Sequence, residues 1–357
     1  MSGHDKIGDS YTPLVQIKDV EDFREEDEIP ILGDRRDGRM YRYSESTKLA
    51  INVALATGRP LLIVGPSGCG KSSLAFNLAR ITERKYYEFV VKSESRTQDL
   101  LYSFDAVRRL GDCQLAAVSD SKAGNGGNER AFVPWRSQFP YIEPGQFWWV
   151  IDPIGARRRG YEHRSEEDGD LPFTAASDPA EWVPSNKPGA ASLLLIDEID
   201  KAEPDFPNNL LVPLGSWQFR VNELGRTVKL FDDSLLTDPQ THPLVVITSN
   251  QTRELPATFL RRCIVLEIPP PTPLELERIA IEVFGRLDEL GVESLSHQGY
   301  QDLAKRVIEA RDGQAVGVAE FLDVVRSIRA LEAVNPSLGE IIKNNTWRSL
   351  STSEGPL

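Results

Sequence analysis

Two short stretches of this chain carry residue types whose order points to phosphate chemistry. The first is Gly65-Pro66-Ser67-Gly68-Cys69-Gly70-Lys71-Ser72, followed by Ser73. It fits G-x-x-x-x-G-K-[ST]: glycines lacking a Cβ let backbone N–H groups turn toward phosphate oxygens, the lysine bridges the β- and γ-phosphates, and the hydroxyl ligates Mg2+. Lys71 and Ser72 stand at those last two positions. The second stretch is Leu193-Leu194-Leu195-Ile196-Asp197-Glu198-Ile199-Asp200, an apolar run that ends in acids. Asp197 is expected to hold Mg2+ through water, and Glu198 to orient and polarise an attacking water. Taken singly, the first stretch also reads as a chance glycine-rich turn, and the second as an acidic helix start. Together they point to a nucleoside triphosphate held with Mg2+.

The elements around them are those such chemistry needs. Leu61-Leu62-Ile63-Val64 reads as a buried strand, and Ser72 to Arg80, with Leu74, Leu78 and Ile81 at helical spacing, as the helix after the loop. Ser44 to Thr57 reads as a helix stopped by Gly58 and Pro60. Further strands are expected over Tyr86 to Val91, Leu193 to Ile196, Leu244 to Thr248 and Ile264 to Ile268. The Leu244 strand ends in Ser249-Asn250, which puts Asn250 within reach of the γ-phosphate or the water, because ligands of parallel sheets bind at the carboxyl ends of the strands. Trp217 to Val228 alternates polar and apolar residues around Gly225, a hairpin pattern. A break over Pro269 to Pro273 marks a domain boundary. Beyond it Leu276, Ile279, Ala280, Val283, Phe284 and Leu287, then Phe321, Leu322, Val324, Val325 and Ile328, keep helical spacing, so the tail is expected to be all helix. After Leu110 the chain reads as irregular, with excursions over 119–130 and 155–190; the apolar Pro140 to Ile151 between them is expected to pack on the domain.

Composition narrows the class. The 357 residues suffice for two domains or one large one, and 41 basic against 54 acidic side chains give a net charge of -13. That balance argues against a nucleic-acid partner and favours protein partners. No apolar run reaches membrane-spanning length and Met1 to Asp9 lacks the apolar core of a signal peptide, so a soluble, cytoplasmic chain is expected. Cys69, Cys113 and Cys263 have no metal-ligand spacing.

Phosphate loop, Asp-Glu strand, Ser-Asn strand end, the arginine pair Arg261-Arg262 and a helical tail occur in the order used by the AAA+ ATPases. Within that superfamily the chain resembles the MoxR branch of the helix-2-insert group, on Gly58 to Gly65, Asp99 to Ala106, Leu194 to Ala202 and Ile247 to Asn250. The resemblance implies an α/β P-loop NTPase core, a parallel sheet flanked by helices, with a C-terminal all-α lid. Residues 1–43 would be a polar arm, 44–269 the AAA+ domain with insertions near 111–139 and 152–191, 270–340 the lid and 341–357 a tail. It implies an ATP hydrolase working as a hexameric ring that remodels a partner protein, often a von Willebrand factor A-domain protein. Asn250 would be the sensor 1 residue and Arg262 the arginine finger acting on a neighbour's nucleotide, with Glu198 and Lys71 completing the catalytic set. The hairpin would face the pore. One departure concerns the lid: where relatives place a basic γ-phosphate sensor this chain has Gln314-Ala315-Val316-Gly317-Val318-Ala319-Glu320. Either Arg311 substitutes or that sensor is absent. The other departure is the long separation of Lys71 from Asp197, whose extra loops suit either a partner-specific surface or disordered filler. An ATP-gated switch or scaffold with little turnover is the alternative; the intact Glu198 argues against it.

Overall fold

A computed structural model describes residues 41–120, 136–162, 171–184, 191–232, 238, 241–288, 297–310 and 316–332. The arm up to residue 40, Arg311 and the tail after residue 332 lie outside the described residues. The chain divides into two compact units, one built mainly from Tyr43–Leu62 and Leu78–Leu266, the other from Ile63–Asn77 and the chain from Glu267 onward.

In chain order the first elements are α1 (Glu45–Thr57), β1 (Leu61–Val64), α2 (Lys71–Ile81), β2 (Lys85–Val90), α3 (Thr97–Leu101), β3 (Tyr102–Phe104), α4 (Ala106–Asp120), β4 (Ile142–Pro144), α5 (Gln146–Ile151) and α6 (Pro153–Arg157). Then come β5 (Ser192–Asp197), α7 (Asp205–Asn209), α8 (Leu211–Ser216), β6 (Gln218–Val221), β7 (Arg226–Lys229), β8 (Leu244–Ser249), α9 (Ala257–Leu260), β9 (Ile264–Glu267), α10 (Pro273–Asp288), α11 (His297–Ala310) and α12 (Val318–Glu332).

Five strands form a parallel sheet in the order β2-β5-β8-β1-β9. Every residue of β1, β5 and β8 is buried, the outcome for continuous Leu, Ile and Val runs covered by helices on both faces. The register puts Leu194 between Tyr87 of β2 and Val245 of β8, so β5 ends level with its neighbours at the carboxyl edge. Helix α1 begins where the Ser44 hydroxyl accepts the Thr47 N–H at 3.1 Å and stops at Gly58, whose φ of 63° is left-handed.

The segment joining β2 to β5 is more ordered than its composition suggests. Helix α4 continues to Asp120, past the expected onset of irregular chain, although its Val107, Leu110 and Leu115 face solvent. Trp182, within the expected excursion, pairs with Tyr86 in an antiparallel bridge, so this part of the insertion borders β2. The apolar Pro140–Ile151 stretch packs as expected: β4 pairs antiparallel with β3, and Phe147 to Ile151 of α5 are all buried. Trp148 meets Phe219 at 5.6 Å and Tyr102 at 6.5 Å between ring centroids, and Phe147 stacks on Trp217 at 6.0 Å. These rings lock the insertion to the β6–β7 hairpin, whose strands pair around Gly225 at φ 65°.

In the second unit, α10, α11 and α12 share one core of Leu276, Ala280, Phe284, Tyr300, Leu303, Ala304, Val307, Phe321, Val325 and Ile328. The first and last helices match the expected spacing. Helix α11 adds an element whose buried Tyr300, Leu303, Ala304 and Val307 also follow helical spacing, within an otherwise polar segment.

Trp148 is fully buried at the centre of the aromatic cluster. Trp148→Ala is expected to destabilise the sheet unit by about 3–5 kcal/mol, read as a lower urea midpoint. An unchanged midpoint would mean that the insertion is not integral to the unit.

Candidate active site

In the sheet unit, the apolar β5 carries Asp197 to its carboxyl end, where the side chain is still buried. A buried carboxylate needs donors, and Thr248 of β8 is one: its hydroxyl donates to Asp197 Oδ1 at 2.6 Å and accepts the Glu198 N–H at 2.8 Å. One hydroxyl thus joins the side chain of the first acid to the backbone of the second. Glu198 has φ 60° and ψ 49°, left-handed geometry that costs a non-glycine residue about 1–2 kcal/mol. The sharp turn brings its carboxylate to Asn250, whose Nδ2 donates to Oε1 at 3.0 Å, and to Lys201, whose Nζ lies 2.5 Å from Oε2.

Asp200 anchors the loop that carries Asn250. It is buried, and accepts the amides of Asn250 at 3.1 Å and Thr252 at 3.0 Å and the Thr252 hydroxyl at 2.5 Å. Burial would raise its carboxyl, but these donors outweigh burial and hold it below the usual carboxylate range. Arg253 braces the same junction by donating to Ala202 O at 2.6 Å.

Arg262 is not brought to these carboxylates. It precedes β9, at the opposite, amino-terminal edge of the sheet, and donates to Leu211 O at 3.0 Å. Arg261 and Arg262 are both exposed, and among the described residues neither forms an ion pair. Arg262 borders a cavity of about 430 Å³ with Trp217, His242, Phe259 and Cys263. Burial pushes the Cys263 thiol up to about 12, against the opposing pull of Arg59.

In the second unit, the phosphate loop leads from Gly65 into α2, whose first residue is Lys71. Lys71 is buried, and its Nζ donates to Gly65 O at 2.9 Å and Pro66 O at 2.7 Å, with Cys69 Sγ at 3.9 Å. Gly68 and Gly70 have φ of 77° and 91°, values that favour glycine. A Cβ on Gly65 would lie 2.4 Å from Ile268 O. Burial raises the Cys69 thiol, although Lys71 pulls the other way.

This donor set fits a triphosphate: an ammonium, a glycine-rich backbone and the N-terminus of an eleven-residue helix. Among the described residues no group of three or more His, Cys, Asp or Glu is arranged to hold a metal ion, and Mg2+ bound through ATP phosphates needs no such cage. Sequence reasoning named Asp197, Glu198 and Asn250 but not Thr248, Asp200, Lys201 or Thr252. Thr248 was detectable as a hydroxyl in an otherwise apolar buried strand, since buried hydroxyls require partners.

Residues 60–124 match the family model described as AAA domain (dynein-related subfamily). That matched segment holds the phosphate loop together with β1, α2, β2, α3, β3 and α4. No curated protein matches the chain. Among solved structures it is similar to a mutant of Thermotoga maritima RuvB, at 13% identity over 84% of this chain and 67% of that one, with a TM-score of 0.45. It is also similar to the Thermotoga maritima RuvB Holliday junction branch migration motor, at 13% identity over 82% of this chain and 65% of that one, with a TM-score of 0.39. The chain therefore spans about two thirds of the length of these structures. Among the described residues no helix is long and apolar enough to cross a membrane.

Two outcomes follow from the hydrogen bonds of Thr248 and Asp200. Thr248→Val removes the bridge between the acids and is expected to lower ATP turnover about ten- to a hundredfold while the Kd for ATP stays nearly unchanged. Equal turnover in a steady-state phosphate-release assay would remove Thr248 from the site. Asp200 has a depressed folded value, so its stabilisation is complete above its unfolded value near pH 4 and is lost as pH falls through the lower folded value. Asp200→Asn should therefore flatten that acid limb in urea titrations between pH 5 and pH 2; a limb as steep as that of the wild type would assign it to another group.

Proposed function

We propose that the chain is a MoxR-type AAA+ ATPase that assembles into a hexameric ring and uses Mg2+-dependent ATP hydrolysis to remodel or activate a partner protein. Hydrolysis in this reading is supported by the Glu198–Asn250 pair at the end of β5, with a buried Asp197 beside it and a hydroxyl tying the two acids together; the ring and the partner rest on the resemblance. A nucleotide switch without turnover has no need of a carboxylate held in strained geometry against a polar amide.

In this reading Gly65, Pro66, Ser67, Gly68, Cys69, Gly70, Lys71, Ser72 and Ser73 form the nucleotide cradle. Lys71 Nζ exchanges the Gly65 and Pro66 carbonyls for β- and γ-phosphate oxygens. Ser72 and Asp197 would hold Mg2+, which when bound neutralises phosphate charge in the transition state. Glu198 polarises the attacking water and Asn250 fixes the Glu198 carboxylate. Lys201 holds the other carboxylate oxygen and must yield for the water to approach.

Arg262 lies at the sheet edge remote from Glu198 and its guanidinium has no ion pair among the described residues, which supports action on a neighbouring subunit's ATP. The AAA+ domain would span 44–269 and the lid 270–340. The partner is a protein, with a von Willebrand factor A-domain protein the first candidate by resemblance; the net charge of -13 favours such a partner over nucleic acid.

The test is mass by light scattering with and without Mg2+ and a non-hydrolysable ATP analogue. A shift from about one subunit to about six supports the ring; a persistent monomer contradicts it. Arg262→Ala should bind ATP and lose hydrolysis. Mixing it with Lys71→Ala should restore part of the activity, since each mixed interface can pair an intact loop with an intact finger. No recovery at any ratio would rule out action in trans.

A further inference from the structure

The start of α12 lies against the phosphate loop. A Cβ on Gly68 would fall 2.8 Å from Gly317 Cα, and a Cβ on Gly317 would fall 2.9 Å from Gly68 Cα and 3.3 Å from Gly68 O. Both are closer than side-chain carbons approach backbone, so this contact requires glycine on both sides. The Val318 N–H donates to Gly68 O at 2.8 Å. Gly317 occupies the cap position of α12, where Ser, Thr, Asp or Asn would ordinarily satisfy the free amides. Its own N–H donates to Glu320 Oε2 at 3.3 Å, the half of a capping box that needs no cap side chain. The loop is pressed elsewhere as well: Ile268 O stands over Gly65, and a Cβ on Gly70 would meet the Tyr41 ring at 3.3 Å.

We infer that Gly317 and the Val318 amide are positioning residues for ATP, coupling the helical lid to the phosphate loop through a backbone contact. Gly68 cannot move without moving Gly317, and the hydrogen bond gives the pair one preferred register. Phosphate binding fixes the loop; the loop then fixes the first turn of α12. By linkage, a lid held in that register favours the loop conformation that takes phosphate. The inference rests on ATP binding at the phosphate loop.

Two variants of the full chain test it. Gly317→Ala places a methyl against Gly68. Val318→Pro removes the donor at the first helical position, where proline is tolerated, and also trims a side chain partly buried against the helical core. The readouts are Mg·ATP titration by calorimetry, steady-state KM and kcat, and hydrogen exchange across the first turn of α12 with and without Mg·ATP. In the wild type, Mg·ATP should slow exchange there. In both variants the nucleotide-dependent slowing should vanish and Kd and KM should rise about five- to tenfold, on the order of one lost hydrogen bond, with kcat at saturation little changed. A kcat loss at unchanged KM, or wild-type Kd with the slowing intact, would overturn the coupling. Wild-type chain that does not bind Mg·ATP would overturn the phosphate-loop reading itself and the coupling with it. If Gly317→Ala fails to fold, Val318→Pro alone decides between these results.

Discussion

A carboxyl group is costly to bury inside a sheet that is covered on both faces unless hydrogen-bond partners meet it there. Asp197 is such a group, buried at the end of the fully buried β5, and the arrangement around the site follows from satisfying it. Thr248 supplies the hydrogen bond. Because the same hydroxyl also accepts the Glu198 amide, the chain must turn at once after Asp197, and it does so through a left-handed residue. That turn directs Glu198 toward Asn250 instead of letting β5 run on. Asp200, two residues further, ties down the loop bearing Asn250. A short acidic stretch and the end of one neighbouring strand thus form one hydrogen-bonded unit.

The phosphate loop is constrained differently, by close approach of backbone. Lys71 is held by the carbonyls of its own loop, and Gly65 and Gly68 are each covered by other chain segments. The pattern of glycines therefore answers to two demands: donors turned toward phosphate, and neighbours packed where side chains would stand. Only the first is part of the motif's usual rationale. The second identifies Gly317, just before α12, as the loop's counterpart.

The parallel sheet was readable because its strands are short continuous apolar runs, and β1 falls on the expected Leu61–Val64. Acids and amides at strand ends were readable because ligands collect at that edge. Thr248 and Asp200 were less so, since their roles depend on register between β5 and β8, which periodicity does not specify. The order within the insertion was underestimated for a related reason: α4 exposes its apolar residues, and the Tyr86–Trp182 bridge joins positions far apart in sequence. The segment Gln314 to Glu320 carries no arginine or lysine. Its Gly317–Gly68 contact is visible only in three dimensions.

The central claim is that Glu198 performs hydrolysis on ATP held by the phosphate loop. Single-turnover rapid quench with Glu198→Gln, alongside its Kd for Mg·ATP, addresses it directly. The account predicts wild-type affinity with the chemical step slowed by about two or more orders of magnitude. A chemical step at the wild-type rate in that variant would contradict it.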